Sequence, residues 1–248
     1  MVDIIAGAEP QSWSGGPDGV LVLHGFTGTP DSMRHLAQAF ADAGYAVELP
    51  LLPGHGTSLE DMLTTSWDDW SAAADAAYTA LAARCDKVVV AGLSMGGTLA
   101  TWLATRHPEI AGLVLVNPAV MPQPEMAEIL VPMIEAGETS FDAISGDIAK
   151  EGQVELAYDR TPLLPLASLG AAIDGLQAQL AGLAVPILLC SSPQDHVVPP
   201  ATGDHLVASV AGPVERVSLD RSFHVATQDH DAGLIEERSV AFAARCFA

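Results

Sequence analysis

The sequence predicts an α/β fold in which a mostly parallel sheet carries helices on both faces. Apolar strand-like segments alternate with helix-like segments along most of the chain, and the strand segments are apolar at nearly every position. Both features are typical of a parallel sheet buried on both sides by its crossover helices. The alternation is interrupted once, because residues 119–182 contain helix-like segments and no convincing strand. We interpret residues 119–182 as a small helical cap inserted into a core of residues 1–118 and 183–248.

The predicted strands are short apolar runs that end at glycine, proline or polar residues. They are DGVLVLHG (18–25), YAVELPLLP (45–53), KVVVAGL (87–93), IAGLVLVNP (110–118), VPILLCSS (185–192) and PVERVSLD (213–220). The core helices have apolar residues at helical spacing. They cover residues 30–45, 66–85, 94–107, 199–212 and 229–246. Ser66 and Asp69 resemble a capping box at the start of the second helix. Within the cap, helical pieces are predicted at 126–137, 140–152 and 166–183.

The charge of the chain bears on its partners. The net charge is −21, and the acidic residues are spread along the sequence. Such a charge repels phosphate backbones, so we expect no nucleic-acid partner and a well-solvated acidic surface.

The cysteines and the apolar runs allow expectations about the cellular compartment, metal binding and membrane insertion. The three cysteines are far apart and no CxxC or HExxH pattern occurs, so we expect free thiols in a reducing cytosol and no metal. No apolar run approaches the roughly 20 residues of a membrane span, and we identify no secretory signal. We therefore expect a cytoplasmic protein without stable membrane insertion.

The segment Gly92-Leu93-Ser94-Met95-Gly96 places a serine where a predicted strand meets a predicted helix. It fits the G-x-S-x-G pattern of a sharp strand-to-helix turn, in which the serine Oγ stands clear of the backbone. The residues two before and two after the serine approach other backbone, so glycine is required there. We interpret Ser94 as a nucleophile, and the alternative is a glycine-rich structural turn.

A serine hydroxyl is a weak nucleophile at neutral pH and needs a base that is oriented by an acid. In this kind of fold the expected order along the chain is serine, acid, histidine. Asp195 and His224 each follow a predicted strand, so we predict Asp195 as the acid and His224 as the base. We expect Asp229 to cap the final helix. Asp204, His205 and His230 belong to predicted helices. Asp220 stands at a strand end but only four residues before His224, and His196 is next to Asp195 and would point elsewhere.

An acyl-transfer site also needs two donors for the oxyanion of the transition state. The backbone N–H of Met95 lies at a predicted helix N-terminus, where the helix dipole favours negative charge. The loop after the first strand supplies the second predicted donor, the backbone N–H of Phe26. We expect His24, just before it, to be a hydrogen-bonded structural residue.

Four segments together resemble a known family. HGFTGTP (24–30), GLSMGG (92–97), SPQDHVVP (192–199) and SFHVATQD (222–229) are similar, in order and spacing, to the small bacterial carboxylesterase and monoacylglycerol lipase branch of the α/β-hydrolases. The resemblance implies the α/β-hydrolase fold with a small helical cap. It also implies Ser94 as nucleophile, Asp195 as acid, His224 as base, Phe26 and Met95 as oxyanion donors, and no metal or organic cofactor.

We therefore predict a serine hydrolase that cleaves carboxylic esters of short to medium acyl chains, including monoacylglycerols, through an acyl-enzyme. Methionine and branched aliphatic residues in the cap favour an acyl chain if they face the site, although plain packing explains them as well. The acidic cap residues disfavour anionic substrates such as phosphoesters. We expect a small ester or lipid substrate and a monomer or homodimer.

Three other functions fit parts of the sequence. An acyltransferase would pass the acyl group to an alcohol or sugar acceptor, and the motifs do not separate it from a hydrolase. A carbon–carbon bond hydrolase needs further polar groups near the site, which we do not identify. A non-catalytic binding protein of the same fold usually lacks one member of the triad.

Overall fold

The computed structural model describes residues 3–143 and 146–248. Nine strands lie in this part of the chain. They are β1 Gln11–Trp13, β2 Gly19–Leu23, β3 Ala46–Leu49, β4 Val88–Leu93, β5 Gly112–Val116, β6 Ser140–Asp142, β7 Arg160–Pro162, β8 Ile187–Ser191 and β9 Val214–Ser218. Seven of them form one sheet in the order β1-β3-β2-β4-β5-β8-β9, in which β1 runs antiparallel to β3 and the other pairs are parallel. The predicted mostly parallel sheet is confirmed.

The helices connect these strands. In the described residues they are α1 Arg34–Asp42, α2 Leu59–Met62, α3 Trp67–Ala82, α4 Met95–Arg106, α5 Pro124–Glu135, α6 Leu163–Leu180, α7 Ala201–Ser209 and α8 Ala232–Phe247. Short 3₁₀ turns cover Pro30–Met33 and Ala226–Gln228. At the start of α3 the Asp69 carboxylate accepts a hydrogen bond from the Ser66 N–H at 2.9 Å, as the predicted capping box requires.

Each face of the sheet is covered by a hydrophobic cluster, which explains why the central strands β2, β4, β5 and β8 are almost wholly apolar. Along β4, Val88 and Val90 belong to the cluster that includes α3 and α4, whereas Val89 and Ala91 belong to the cluster that includes α1 and α8. A strand with one face in water would alternate apolar and polar residues instead. Each fully buried valine contributes about 1.5–3 kcal/mol relative to an exposed one, so both faces stabilise the fold.

The segment between β5 and β8 contains α5, α6 and a two-stranded antiparallel sheet of β6 and β7. The helix predicted over residues 140–152 is wrong. Residues 140–142 form β6 instead, and 146–152 form no helix, while Ile144 and Ser145 lie outside the described residues. Gly146 and Gly152 both have φ of +80°, and this left-handed backbone is incompatible with a helix through them.

The carboxyl ends of the parallel strands lie at one edge of the sheet, and each of four strands ends close to a residue named above. Phe26 follows β2, Ser94 follows β4, Asp195 follows β8 and His224 follows β9. Ligands of open α/β sheets bind outside this edge. The fold therefore brings the four loops toward one place.

Candidate active site

Ser94 occupies a strained turn between β4 and α4, with φ of +53° and ψ of −116°. A Cβ on Gly92 would lie 2.1 Å from the Gly96 carbonyl oxygen, and a Cβ on Gly96 would lie 2.1 Å from the Leu23 carbonyl oxygen. No side chain fits at either position without movement of the backbone. The two glycines thus allow the strained conformation at Ser94, and such strain is concentrated at functional sites.

Hydrogen bonds fasten this turn to the neighbouring strand β5. The Ser94 N–H donates to the Val116 carbonyl at 3.1 Å, and the Ser94 carbonyl accepts the Ala119 N–H at 3.2 Å. The Thr98 hydroxyl donates to the Ala119 carbonyl at 2.7 Å. The position of the serine is therefore set by two strands and by the first turn of α4.

Asp195 and His224 are buried and directly bonded. The His224 Nδ1 lies 2.7 Å from the Asp195 Oδ2. The other carboxylate oxygen, Oδ1, accepts the N–H groups of Val197 and Val198, each at 2.8 Å. These two donors fix the orientation of the carboxylate, and the oxygen beside Nδ1 favours the tautomer that has its proton on Nδ1 and leaves Nε2 free to accept one.

The backbone of His224 is held by Asn117, a residue that the sequence analysis missed. The Asn117 side-chain NH₂ donates to the His224 carbonyl at 2.8 Å, and its oxygen accepts the Ser192 N–H at 2.8 Å. Asn117 itself has φ of +41°, a conformation that asparagine tolerates better than most residues. The sequence feature that could have identified Asn117 is its place directly after β5, at the edge of the sheet where ligands bind.

The predicted oxyanion donors belong to two segments that are close to Ser94, the loop after β2 and the first turn of α4. Gly25, Phe26 and Thr27 line the same cavity as Ser94, and a Cβ on Gly25 would lie 3.6 Å from the Ser94 Cβ. Within residues 3–143 and 146–248, the N–H groups of Phe26 and Met95 have no hydrogen-bond acceptor. The Met95 side chain is fully buried in the core cluster of α3 and α4, so its size serves packing.

His24 is a structural residue, as predicted. Its Nδ1 donates to the Gly25 carbonyl at 2.9 Å, and its Nε2 accepts the Leu52 N–H at 3.1 Å. Burial lowers the pKa of His24 to about 4. The ring of His55 packs edge-on against that of His24, and burial, followed by the charge of His24, lowers the pKa of His55 to about 3. Both imidazoles are neutral at pH 7 and support the loop that carries Phe26.

The competing acids and histidines have other partners. Asp204 pairs with Arg216 at 2.6 Å, and His205 lies 2.7 Å from the Gln177 side-chain oxygen. Asp220 accepts the hydroxyl of Ser218. None of these contacts involves Ser94.

Asp229 does not cap α8, so that expectation is wrong. The residue before α8 is Asp231, whose side chain accepts the Arg221 N–H and the Ser222 hydroxyl. The Asp229 carboxylate instead accepts the backbone N–H groups of Ala149 and Lys150 at 2.7 and 2.9 Å. The 3₁₀ turn before Asp229 moves the start of the helix two residues further along the chain.

A cavity of about 360 Å³ opens above Ser94 and His224. Most of its wall is apolar, and half of the lining residues come from α5 and α6. The apolar side chains from these helices are Pro124, Met126, Ala127, Leu130, Val131, Ile134, Leu166, Ala167, Leu169, Ala171 and Ile173. The volume is at the lower end of the roughly 300–1,000 Å³ range of ligand pockets, so one acyl chain fits better than several.

Glu155 is a partly buried acid in the wall of this cavity, and the sequence analysis missed it. Its Oε2 accepts the Gly146 N–H at 2.8 Å, and a Cβ on Gly28 would lie 2.9 Å from its Oε1. Burial raises the pKa of Glu155, and the hydrogen bond from Gly146 opposes that shift. The carboxyl group therefore lies beside the loop that carries Phe26. No motif in the sequence marks it.

Residues 3–143 and 146–248 contain no group of three or more His, Cys, Asp or Glu residues placed to hold a metal ion. The cysteines there, Cys85, Cys190 and Cys246, are free thiols. None of the helices in these ranges has the length and apolar character needed to cross a membrane.

Comparison with known proteins gives the family. The Hydrolase_4 family model, described as serine aminopeptidase, S33, matches residues 17–231. The chain belongs to this family. A thermostable monoacylglycerol lipase of Bacillus sp. (strain H-257) is 44% identical over 98% of this chain and 96% of its own length. A carboxylesterase of Bacillus subtilis (strain 168) is 24% identical over 92% of this chain and 93% of its own.

The solved structures agree with this assignment. A structure of the metagenome-derived lipolytic enzymes LipS and LipT has a TM-score of 0.94 and 40% identity, covering 98% of this chain and 100% of that chain. The predicted α/β-hydrolase fold, the carboxylesterase and monoacylglycerol lipase resemblance and the assignment as a serine hydrolase are confirmed. The acyltransferase alternative finds no support among these relatives.

Proposed function

We propose that Ser94, Asp195 and His224 form the catalytic triad of this hydrolase and that its substrates are monoacylglycerols and related esters of short to medium acyl chains. The observation that carries the proposal is the buried Asp195–His224 pair, at 2.7 Å, opening into the cavity that contains the strained Ser94. The relatives described as a monoacylglycerol lipase and a carboxylesterase support the substrate class.

In the proposed mechanism His224 Nε2 takes the proton of the Ser94 hydroxyl while Oγ attacks the ester carbonyl. The bond to the alcohol then breaks, and His224 gives the proton to the leaving oxygen. Water repeats the sequence on the acyl-enzyme and releases the acid. Asp195 holds the imidazole in the required tautomer and stabilises its charged form.

We propose that the unpaired N–H groups of Phe26 and Met95 bind the developing oxyanion. They lie at the ends of β2 and β4, and the Met95 N–H is the first of α4, where the helix dipole favours negative charge. Loss of one such donor typically lowers kcat about 100- to 1,000-fold. Backbone donors are not removed by changing a side chain, so the Phe26 loop must be tested through the groups that hold it.

The chemistry of the cavity wall indicates where the acyl chain and the alcohol part of an ester lie. The apolar residues of α5 and α6 suit an acyl chain, whereas Glu155 supplies a polar group near the Phe26 loop. Buried polar groups need hydrogen-bond partners, and a hydroxyl of a glycerol leaving group can provide one. We propose that residues 119–182, which include these helices and Glu155, are the cap that selects the substrate.

Hydrolysis of 1-monoacylglycerols and p-nitrophenyl esters of increasing chain length tests this proposal. We expect Ser94→Ala to lose activity and fluorophosphonate labelling, while Ser218→Ala, an exposed serine in β9, keeps both. Ala167→Trp fills part of the cavity and should shift the preference toward shorter chains. Activity of Ser94→Ala equal to that of the unmodified protein would refute the triad. If neither the unmodified protein nor Ala167→Trp prefers any chain length, the proposal that the α5 and α6 wall binds the acyl chain is refuted.

We further propose a cytoplasmic location, a monomer or homodimer, and no nucleic-acid partner. The free thiols support a reducing compartment, and the net charge of −21 opposes binding to phosphate backbones. Size-exclusion chromatography with light scattering measures the oligomeric state, and a mass above that of a dimer would contradict this proposal.

A further inference from the structure

Asp147 contacts the loops of both the acid and the base. Its Oδ2 accepts the backbone N–H of His196 at 3.1 Å and the backbone N–H of His224 at 3.1 Å. Its Oδ1 lies 2.8 Å from His196 Nδ1, and its carbonyl accepts the Val225 N–H at 3.0 Å. One residue from the segment between β6 and β7 thus makes four hydrogen bonds to loops that follow β8 and β9.

These two loops need such a connection. The strand ladder pairs β8 with β9 only as far as Ser191 and Ser218, whereas the paired side chains stand several residues farther along each loop. Asp195 and His224 must nevertheless keep a 2.7 Å contact. Asn117 and the Ser192 hydroxyl already join the two loops at Ser192, Phe223 and His224. Asp147 Oδ2 adds a link next to the paired side chains, because it is shared by the amide after Asp195 and the amide of His224.

The Asp147 carboxylate is well placed to act as a rigid bridge. Its side chain is only 16% exposed, so its charge-assisted hydrogen bonds are partly shielded from water. The chain after it is anchored as well, because the Asp229 carboxylate accepts the N–H groups of Ala149 and Lys150. Residues 147–150 are therefore joined to the segment after β9 at Asp147, Ala149 and Lys150.

We propose that Asp147 is a positioning residue for the triad, acting through the backbone amides of His196 and His224. This inference rests on the proposed function, since it concerns the placement of His224 relative to Ser94 and Asp195. Displacement of a reacting group by about 1 Å costs about 100-fold in rate. Loss of the bridge should therefore lower kcat while leaving the acyl-binding wall, and hence KM, almost unchanged.

The decisive measurement is kcat and KM of Asp147→Ala with a p-nitrophenyl ester. We expect kcat to fall about 10- to 100-fold and KM to change less than about threefold. Asp147→Asn keeps an oxygen that can accept the two amides, so it should restore kcat to within about fivefold of the unmodified protein. If Asp147→Ala does not fold, Asp147→Glu takes its place, because it keeps the charge but moves the carboxylate by one bond. The same loss of kcat is then expected.

Two further variants separate the bridge from other effects. Asp142→Ala removes an aspartate from the neighbouring strand β6 that is fully exposed, and it should leave kcat unchanged. His196→Ala removes the contact with Oδ1 but keeps both backbone amides, so its kcat should fall clearly less than that of Asp147→Ala. Thermal unfolding of each variant establishes that the proteins compared are folded.

The outcomes distinguish this inference from the proposed triad. An active Ser94→Ala would refute the triad itself. An inactive Ser94→Ala together with unchanged kcat in folded Asp147→Ala or Asp147→Glu would overturn the bridge alone. Three other results would also overturn the bridge. They are a change in KM without a fall in kcat for Asp147→Ala, a fall in kcat of equal size for His196→Ala, and no recovery of kcat in Asp147→Asn.

Discussion

Gly96→Ala tests whether the backbone around Ser94 is as tightly set as the distances indicate. The new Cβ would lie 2.1 Å from the Leu23 carbonyl oxygen, 2.7 Å from the Leu23 carbonyl carbon and 2.8 Å from the His24 carbonyl oxygen. Since Cβ atoms essentially never approach closer than 3.0 Å, the backbone must separate by about 0.9 Å. All three atoms belong to backbone at the end of β2, immediately before Phe26. The movement therefore changes the distance between the proposed oxyanion donors and Ser94.

The expected size follows from that displacement. Overpacking of this kind costs about 1–3 kcal/mol of unfolding free energy. A shift near 1 Å in the reacting groups costs about 100-fold in kcat. The assay is steady-state hydrolysis of a p-nitrophenyl ester together with urea unfolding. Gly175→Ala is the matched control, because α6 has open space at that position and alanine should there stabilise the helix by about 0.5–1 kcal/mol. A folded Gly96→Ala with kcat equal to that of Gly175→Ala would refute the reasoning.

Two other predictions concern the buried ionisable groups. Asp195→Asn should lower kcat about 10⁴-fold in steady-state ester hydrolysis, because the amide favours the wrong tautomer of His224, and a loss below about tenfold would contradict that role. The free energy of unfolding should fall as the pH drops from about 6.5 toward 4. His24 and His55 have folded pKa values of about 4 and about 3, below the usual 6.5, so the unfolded chain binds more protons in that range. Each imidazole contributes a slope of up to about 1.4 kcal/mol per pH unit in urea titrations, and a flat profile between pH 6.5 and 5 would contradict their burial as neutral groups.

The core was largely predictable from the sequence because burial on both faces leaves a strong signal. The central parallel strands β2, β4, β5 and β8 are almost wholly apolar, and the loops after β2, β4, β8 and β9 carry Phe26, Ser94, Asp195 and His224. The edge strand β1 was missed because it has three residues, QSW, of which none is buried. Helix α2 was missed because its four residues are too few to show helical spacing.

The region between β5 and β8 was less predictable because its structure depends on partners distant in sequence. The sequence pattern predicts a helix over residues 140–152, yet residues 140–142 form β6, which pairs with β7 about twenty residues later in the chain. Arg160 in β7 fixes that pairing by donating from Nε to the Ser140 hydroxyl and from its terminal nitrogen to the Ser140 carbonyl, each at 2.8 Å. Local propensity and periodicity contain no information about such contacts.

Glu155 and Asp147 are polar residues whose significance appears only once their long-range contacts are known. Glu155 lies beside Gly28, and Asp147 bonds to the amides of His196 and His224. The core thus carries the proposed reacting groups, whereas the inserted segment supplies the polar group in the cavity and the bridge between the triad loops. An exchange of residues 119–182 with those of a relative would therefore change the rate as well as the substrate preference, unless the incoming segment keeps an acceptor at position 147. If both proposals hold, substrate selection and triad geometry are physically linked, because the same segment contributes to both.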